Sequence, residues 1–600
     1  MYPPIGDYAL LSDCHSAALV SRDGSVDWAC FHRFDARPVL SRLLDWDKGG
    51  YFRIYPSGPY EVIRRYLDGT NVLETTFSCE KGKLVVTDCV PIHEHEGKHG
   101  PVAHQYHELI RYFQCVGGEV EVVIEFKPRF DYGITIPAIE MLDVGLFSAF
   151  GGADALILQT EVRMAHSGPS ELSGRLRLRR GEDSYAVITH VLPHLLSPHR
   201  INPGEIAKRI DDTLDYWRQW SGRLRYEGPY RDQVERSALV LKALTNAPTG
   251  SILAAATTSL PEEIGGVRNW DYRYAWLRDA ALNVYALFSL GYKDEAHAFM
   301  QWVKRTTAGR AQDVQIMYGA GGERFLPEVE LWDLDGYRGS RPVRIGNGAV
   351  NQFQLDVYGE LLDTAWLYHR HDGVIDEFYW DFLRRSVDLV SKRWEEPDHG
   401  IWEVRGGLRD FVFSKIMAWV AVDRGIRLAR ALGLPCDLPE WKALRRRIRK
   451  AIETRGIDPE TGSFVQSFGS KMPDAACLLA PLVRFLPADD PRVIATIKRV
   501  EKDLTRNGLV YRYLTEDGLP GGEGAFVMCS FWLVDNLALC GEKERATELF
   551  EQLLGYANDV GLLAEEINPE NGELLGNFPQ AFSHVGLIGA AKNLLGEMHT

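Results

Sequence analysis

The sequence has no pair of cysteines placed to clasp a metal. Its nine cysteines stand singly, at positions 14, 30, 79, 89, 115, 436, 477, 529 and 540. Without a C-x-x-C pair a zinc ribbon is excluded, and an odd, scattered set fits reduced thiols in a cytosol. The first residues, MYPPIGDYALLSDC, lack the basic and apolar regions of a signal peptide. No apolar run approaches the length of a membrane span. Positive charge is also short: 68 basic against 83 acidic residues give a net charge of -15. A nucleic-acid binder needs a positive face to displace counterions, and so does a protein held to an anionic membrane. Neither partner is expected.

What is present suits a large soluble protein. Hydrophobic residues make up 45% and charged residues 25% of 600 positions, too long a chain for one ordinary domain. Up to about residue 200 the pattern is β-branched and partly alternating, as in GKLVVTDCV, EVEVVIEF and SYAVITH, with Gly-rich turns between. Beyond it the period becomes helical. NPGEIAKRIDDTLDYWRQWSGRL reads as one amphipathic helix, followed by about twelve more, near 231–247, 279–290, 292–308, 349–368, 374–394, 412–433, 437–454, 471–485, 491–505, 524–541, 543–558 and 579–597. The links between them alternate long and short. A link as short as Gly291 or CGEK at 540–543 joins only antiparallel neighbours. Every long loop then falls at one end, the pattern of an (α/α)6 barrel with one loop-built face. The expected class is α+β multidomain: an antiparallel β-sandwich over 1–202, a helical linker over 203–228 and an all-α (α/α)6 barrel over 229–600.

The long loops carry the chemistry. PDHGIWEVRGG sets Glu403 between Trp402 and small residues, and GLLAEEINPENGELLGNF holds Glu565 and Glu566. Two carboxylates across a cleft with aromatic neighbours point to glycoside hydrolysis, in which one of them must hold a proton. Trp402 is expected to desolvate Glu403 and keep it acidic. In RNWDYRYAWLRDAAL, Asp279 reads equally as a first-turn helix residue. The run around it packs rings and charges as a pyranose requires. The loop MYGAGGERFLPEVELWDLDGYRGSRPVRIGN brings Trp332, Tyr337, Arg341 and Arg344, which favour a pocket wall.

These stretches, with IGDYALLSDCHSAALVSRDGSVDW at the start, resemble glycoside hydrolase family 15, the glucoamylase and bacterial trehalase family. The resemblance covers nearly the whole chain. It implies inversion at the anomeric carbon, with Glu403 as general acid and Glu565 as general base. Glu566 competes for the base, because the family commonly has Glu-Gln there. By the same resemblance Arg278 and Asp279 hold a terminal glucose, Tyr272 and Trp276 wall its subsite, and Arg512 is a second sugar-binding arginine; Trp402, beside Glu403, is also expected to bind substrate. Gly339 and the stretch Ile345-Gly346-Asn347 depart from the fungal pattern around the RP motif. No starch-binding module is expected after the barrel.

No metal or other cofactor is expected. The tract HEHEGKH at 93–99, with His104 and His107, reads as a solvated loop rather than a metal site. GAGGE at 319–323 lacks the flanking pattern of a phosphate cradle. A phosphorylase would lack the base carboxylate, and a non-catalytic sugar binder would not need both glutamates. The expected activity is exo-acting release of β-glucose from an α-glucoside in the cytoplasm. The SRPVRIGN form resembles the trehalase branch more than the fungal glucoamylases, so α,α-trehalose comes first. Maltooligosaccharide ends and isomaltose-type linkages are the alternatives.

Overall fold

The computed structural model describes residues 2–97, 100–197 and 200–596. The first part is a β-sandwich of fourteen strands, all paired antiparallel. One strand, Glu108–Lys127, belongs to both layers. Its first half pairs with Gly82–Cys89 and Asp183–Val191, and its second half with Tyr51–Pro56 and Glu171–Arg179. The register shifts between Cys115 and Gly117. Gly118 beside that shift has φ 64°, and a Cβ there would lie 1.9 Å from the Lys81 carbonyl oxygen, so only glycine lets the strand bend from one layer into the other.

Helix α1, Pro203–Ser221, opens on an Asn202 cap that accepts from the Glu205 N–H at 2.8 Å. Its Trp217 is buried, and its Trp220 stacks flat on Tyr292 at 4.0 Å. Twelve more helices follow among the described residues. They are α2 (Arg231–Ala243), α3 (Ala280–Ser289), α4 (Lys293–Thr306), α5 (Asp356–Arg370), α6 (Glu377–Arg393) and α7 (Val412–Leu432). The remainder are α8 (Leu438–Arg455), α9 (Leu479–Leu482), α10 (Pro491–Asp503), α11 (Val527–Leu539), α12 (Lys543–Leu554) and α13 (Ala581–Leu594). The odd-numbered ones from α3 form an inner ring that closes from α13 back to α3. Burial separates the two rings. All fourteen residues of α13 are buried, whereas α8 buries only Trp441, Leu444, Ile448 and Ile452, a stripe at helical spacing. Each outer helix passes to the next inner helix through a long loop, and each inner helix returns through a short one. The long loops therefore gather at the N-terminal ends of the inner ring.

The helix expected at 349–368 begins only at Asp356, after a 3₁₀ turn at Gly348–Asn351. Gln352 is drawn out of it to donate to the Glu403 carbonyl at 3.0 Å. The helix expected at 471–485 shrinks to a 3₁₀ turn, Ala475–Leu478, and the four residues of α9, because Pro481 offers no N–H to a longer ladder. The His-rich tract is also not a loop. Its alternation makes a hairpin, Ile92–Gly97 with Gly100–Gln105. His99 and the side chain of His95 lie outside the described residues.

Sandwich and barrel share a continuous core and a buried clamp. Arg273, 1% exposed, bonds Asp271 through two nitrogens at 2.9 and 2.7 Å, and reaches the Tyr132 hydroxyl at 2.8 Å and the Ala36 carbonyl at 2.9 Å. Replacing Arg273 by Met breaks a buried ion pair, a change that costs about 3–5 kcal/mol. The low end is expected, since the Tyr274 hydroxyl and Gly346 N–H still reach Asp271. The measurement is the urea midpoint of the full chain; an unchanged midpoint would show the clamp to be incidental.

Candidate active site

Four of the long loops supply the side chains. The loop before α3 brings Tyr272, Trp276, Arg278 and Asp279. The loop before α7 brings Trp402 and Glu403, the one before α11 brings Arg512, and the one before α13 brings Glu565. All eight line one cavity of about 420 Å³.

Glu403 is held in a tight turn, its N–H donating to the Gly400 carbonyl, with the backbone left-handed at φ 60°. A non-glycine residue in that region is strained, and such strain persists only where its surroundings impose it. Here Trp276 Nε1 donates to Glu403 Oε1 at 2.7 Å and Arg278 Nη1 to the same oxygen at 3.1 Å. Oε2 meets no hydrogen-bond partner among the described residues. Trp402, expected to dry Glu403, instead donates its indole N–H to Asp474 at 2.8 Å and forms part of the cavity wall. The indole that grips Glu403 belongs to Trp276.

Asp279 begins α3 but makes no side-chain cap. Its Oδ1 accepts from Arg278 Nε at 2.9 Å, and Arg278 also reaches the Ile401 carbonyl at 2.9 Å. Burial raises the Asp279 carboxyl above its ordinary range, and the Arg278 charge opposes it. The pair thus ties the start of α3 to the Glu403 turn.

Glu565 and Glu566 diverge. Successive side chains of extended backbone point to opposite sides, and the strand Glu566–Ile567 pairs with Ala525–Phe526 and Leu574–Leu575. Glu565 lines the cavity, accepts from the Asn577 N–H at 3.2 Å and leaves Oε1 buried without a partner among the described residues. Gly576 makes room for it, since a Cβ there would lie 2.5 Å from Glu565 Oε2. Glu566 turns away and accepts from the Gly524 N–H at 2.7 Å. Burial, with the Glu262 charge adding to it, lifts the Glu565 carboxyl far above the usual carboxylate range, against the pull of Arg512. Burial likewise lifts Tyr272, to which Glu565, Glu262 and Glu403 all contribute.

Carboxyl oxygens of Glu262, Glu523 and Glu566 lie within 4.8 Å of one another. Such a trio suggests a cation site, but it already holds one: Arg512 reaches Glu262 at 3.1 Å, Glu566 at 3.5 Å and both oxygens of Glu523. These three, Glu565 and Asp517 are five carboxylates set against the guanidinium groups of Arg512 and Arg268. With so few counter-charges in a buried place, burial lifts the carboxyls of Glu262, Glu565 and Glu566, while hydrogen bonds from Arg268 and Tyr513 keep Asp517 below its ordinary range.

A second cavity, of about 400 Å³, adjoins the first and shares Tyr272, Trp402, Glu403 and Arg512 with it. Its further lining includes Trp270, Asn347, Arg405 and the Arg268–Asp517 pair, bonded at 2.6 and 2.9 Å. Two guanidinium groups lie over the Trp270 ring, Arg344 at 4.5 Å and Arg405 at 4.7 Å. The expected wall from the third loop is corrected here. Trp332 is 65% exposed, Tyr337 donates to the Pro3 carbonyl, and Arg341 pairs with Asp335. That loop mainly seats the N-terminal segment, and none of Trp332, Tyr337, Arg341 and Arg344 lines either cavity, Arg344 reaching the second only through Trp270. Asn347 does, and Gly339 does not. Sequence reasoning passed over Phe526, Gln580 and Phe582, which line the first cavity. Their signal was positional: each stands at the first turn of an inner helix, as Asp279 does.

Comparison with known proteins places the chain among relatives. The family description "Glycosyl hydrolases family 15" matches residues 228–592, and "Trehalase-like, N-terminal" matches residues 1–163. A protein of Mycolicibacterium smegmatis named trehalase is 41% identical, over 99% of this chain and 92% of its own length. A trehalase of Thermoplasma volcanium is 37% identical, over 99% of this chain and 94% of its own. Among solved structures, a bacterial glucoamylase complexed with acarbose matches with a TM-score of 0.73 at 11% identity, over 99% of this chain and 94% of that one. At that identity the likeness establishes the fold, a β-sandwich followed by an (α/α)6 barrel.

Because Asp279 serves Arg278 rather than the helix end, Asp279→Ala is expected to lower kcat/KM on an α-glucoside by about 10²-fold or more, an effect of misplacing a binding group. Helix content by circular dichroism should stay as in the parent. Unchanged kcat/KM would return Asp279 to the role of a helix-start residue.

Proposed function

The chain belongs to glycosyl hydrolases family 15 and is a glycoside hydrolase, and we propose that it hydrolyses α,α-trehalose with inversion. The observation that carries this reading is the placing of Glu403 and Glu565 in one cavity, with an adjoining cavity that Glu403 also lines. Space on both sides of Glu403 suits a substrate of two rings joined at their anomeric carbons. Relatives named trehalase along the whole chain support the same choice.

In this mechanism the first cavity takes the glucosyl ring that is attacked. Arg278 and Asp279 hold its hydroxyls, and Tyr272, Trp276 and Trp402 form its walls. Glu403, fixed through Oε1 by Trp276 and Arg278, protonates the glycosidic oxygen from Oε2. Glu565 takes a proton from water on the other face of the ring. The C–O bond to the leaving glucose breaks as the bond to water oxygen forms, so the attacked ring leaves as β-glucose and the other as α-glucose. Arg512 spans both cavities and steadies the acids behind Glu565. We place the enzyme in the cytoplasm, on the strength of nine free thiols; recovery of the protein from the culture medium would speak against that.

Glu403→Gln and Glu565→Gln are each expected to lower kcat by about 10²–10⁴-fold. Glu566→Gln, whose parent side chain faces away, should cost less. Proton NMR early in the reaction with trehalose should show α- and β-glucose in equal amounts. Two α-glucoses at the outset would overturn inversion and both glutamate roles. Glucose released from maltose or isomaltose but not from trehalose would overturn the substrate.

A base acts only when ionised, so activity should rise with pH through the pKa of Glu565. Burial and Glu262 hold that pKa high, which sets the acidic limb of kcat/KM above the ordinary carboxyl range. Glu262→Gln removes a negative neighbour, lowers the pKa and should shift the limb to lower pH. A limb that stays put or moves up would remove Glu565 as its source.

A further inference from the structure

The sandwich holds a row of histidines that the active site does not use. His107 immediately precedes the shared strand Glu108–Lys127. Its ring lies 5.4 Å from that of His15, in the turn after strand Tyr8–Ser12, and 4.3 Å from that of His32, past strand Ser25–Cys30. His32 in turn lies 4.6 Å from His190, in strand Asp183–Val191. Four segments distant in sequence thus bring four imidazoles together. Only one of them, His107, belongs to the tract that stands out in the sequence.

Each ring keeps a buried nitrogen with no hydrogen-bond partner among the described residues: Nδ1 of His15, His107 and His190, and Nε2 of His32. His190 is 6% exposed, and its other nitrogen meets Asp154 Oδ1 at 2.9 Å. A carboxylate behind an imidazole is the arrangement that orients metal-binding histidines and leaves the second nitrogen free to bind. His32 and His107 both have left-handed backbone, φ 69° and 54°, strain that collects at functional positions. Ring packing alone accounts for the stacking. It does not account for four unmet nitrogens, which are costly to bury unpaired.

We propose that His15, His32 and His107, backed by His190, bind a divalent transition-metal ion of the zinc class. Imidazoles suit that class, whereas calcium and magnesium require a set of oxygen ligands. No three of these nitrogens lie within 4.8 Å of one another as the rings stand, so binding turns the rings about their side-chain torsions. His15, His32 and His107 are only partly buried. The ion would also brace the active site, because the Ala36 carbonyl, four residues after His32, accepts from Arg273 beside Tyr272.

The test uses the full chain, stripped with a chelator and titrated with Zn²⁺ alone by calorimetry. One ion per chain is expected, with a rise in thermal midpoint. Co²⁺ in its place should give the visible absorption of a site with nitrogen ligands. His32→Ala and His107→Asn should each weaken binding by about tenfold or more, and Asp154→Asn by about 10–100-fold. Asn is chosen at 107 because it tolerates left-handed backbone, and near-ultraviolet circular dichroism confirms that each variant folds. His93→Ala, on the hairpin, should bind as the parent does. Absence of stoichiometric zinc, or parental affinity in both His32→Ala and His107→Asn, would overturn the proposal. So would loss of binding only in His93→Ala, which would move the ion to the hairpin.

Discussion

The Arg278 guanidinium stands between two carboxylates, and the catalytic face is arranged around it. One bond runs to Asp279 at the start of an inner helix, one to the Glu403 side chain, and one to the backbone two residues before Glu403. Two loops separated by more than a hundred residues are thereby held in one geometry. A charge-assisted fork is suited to this, because a planar guanidinium fixes direction as well as distance. A lysine would keep the charge and lose the orientation. The left-handed turn at Glu403 is tolerable because Arg278, Trp276 and Gln352 hold both its side chain and its carbonyl in place.

The other half of the site works by the opposite means. Around Glu565 acids outnumber bases and burial is nearly complete, so Glu262, Glu565 and Glu566 bind protons more readily than free carboxyls do. Glu403 is more exposed, with its side chain 16% accessible, and is directly bonded to a cation. The two glutamates therefore occupy different electrostatic settings in the absence of substrate. A ring entering the first cavity changes both, since it excludes water on one side and offers hydroxyl groups on the other.

Much of this was legible in the sequence, and the reason is geometrical. A one-residue link cannot join parallel helices, so the alternation of short and long links alone gathers the functional loops at one end. The eight candidate residues fell together because they lie on those loops. What was not legible depends on pairing across the chain. Arg268 and Asp517 are 249 residues apart, and Arg512 and Glu262 are 250 apart; neither composition nor period reveals such partners. The same limit explains why Trp402, adjacent in sequence, was expected to act on Glu403 when Trp276, 127 residues away, is its hydrogen-bond donor. It also explains the third loop, whose aromatic and charged residues look alike whether they face a sugar or the N-terminal segment.

The strand Glu108–Lys127 has a consequence for how the protein is made. It is flanked by segments at 51–56 and 82–89 on its N-terminal side in sequence, and at 171–179 and 183–191 on the other. No nascent chain shorter than 191 residues contains all four neighbours, so the strand has an open edge for as long as synthesis of the sandwich lasts. An exposed strand of that length is a template for wrong pairing. Glu119, Glu121, Glu125 and Lys127, spaced along the half that emerges last, give the unfinished edge a charged surface until the final hairpin closes it.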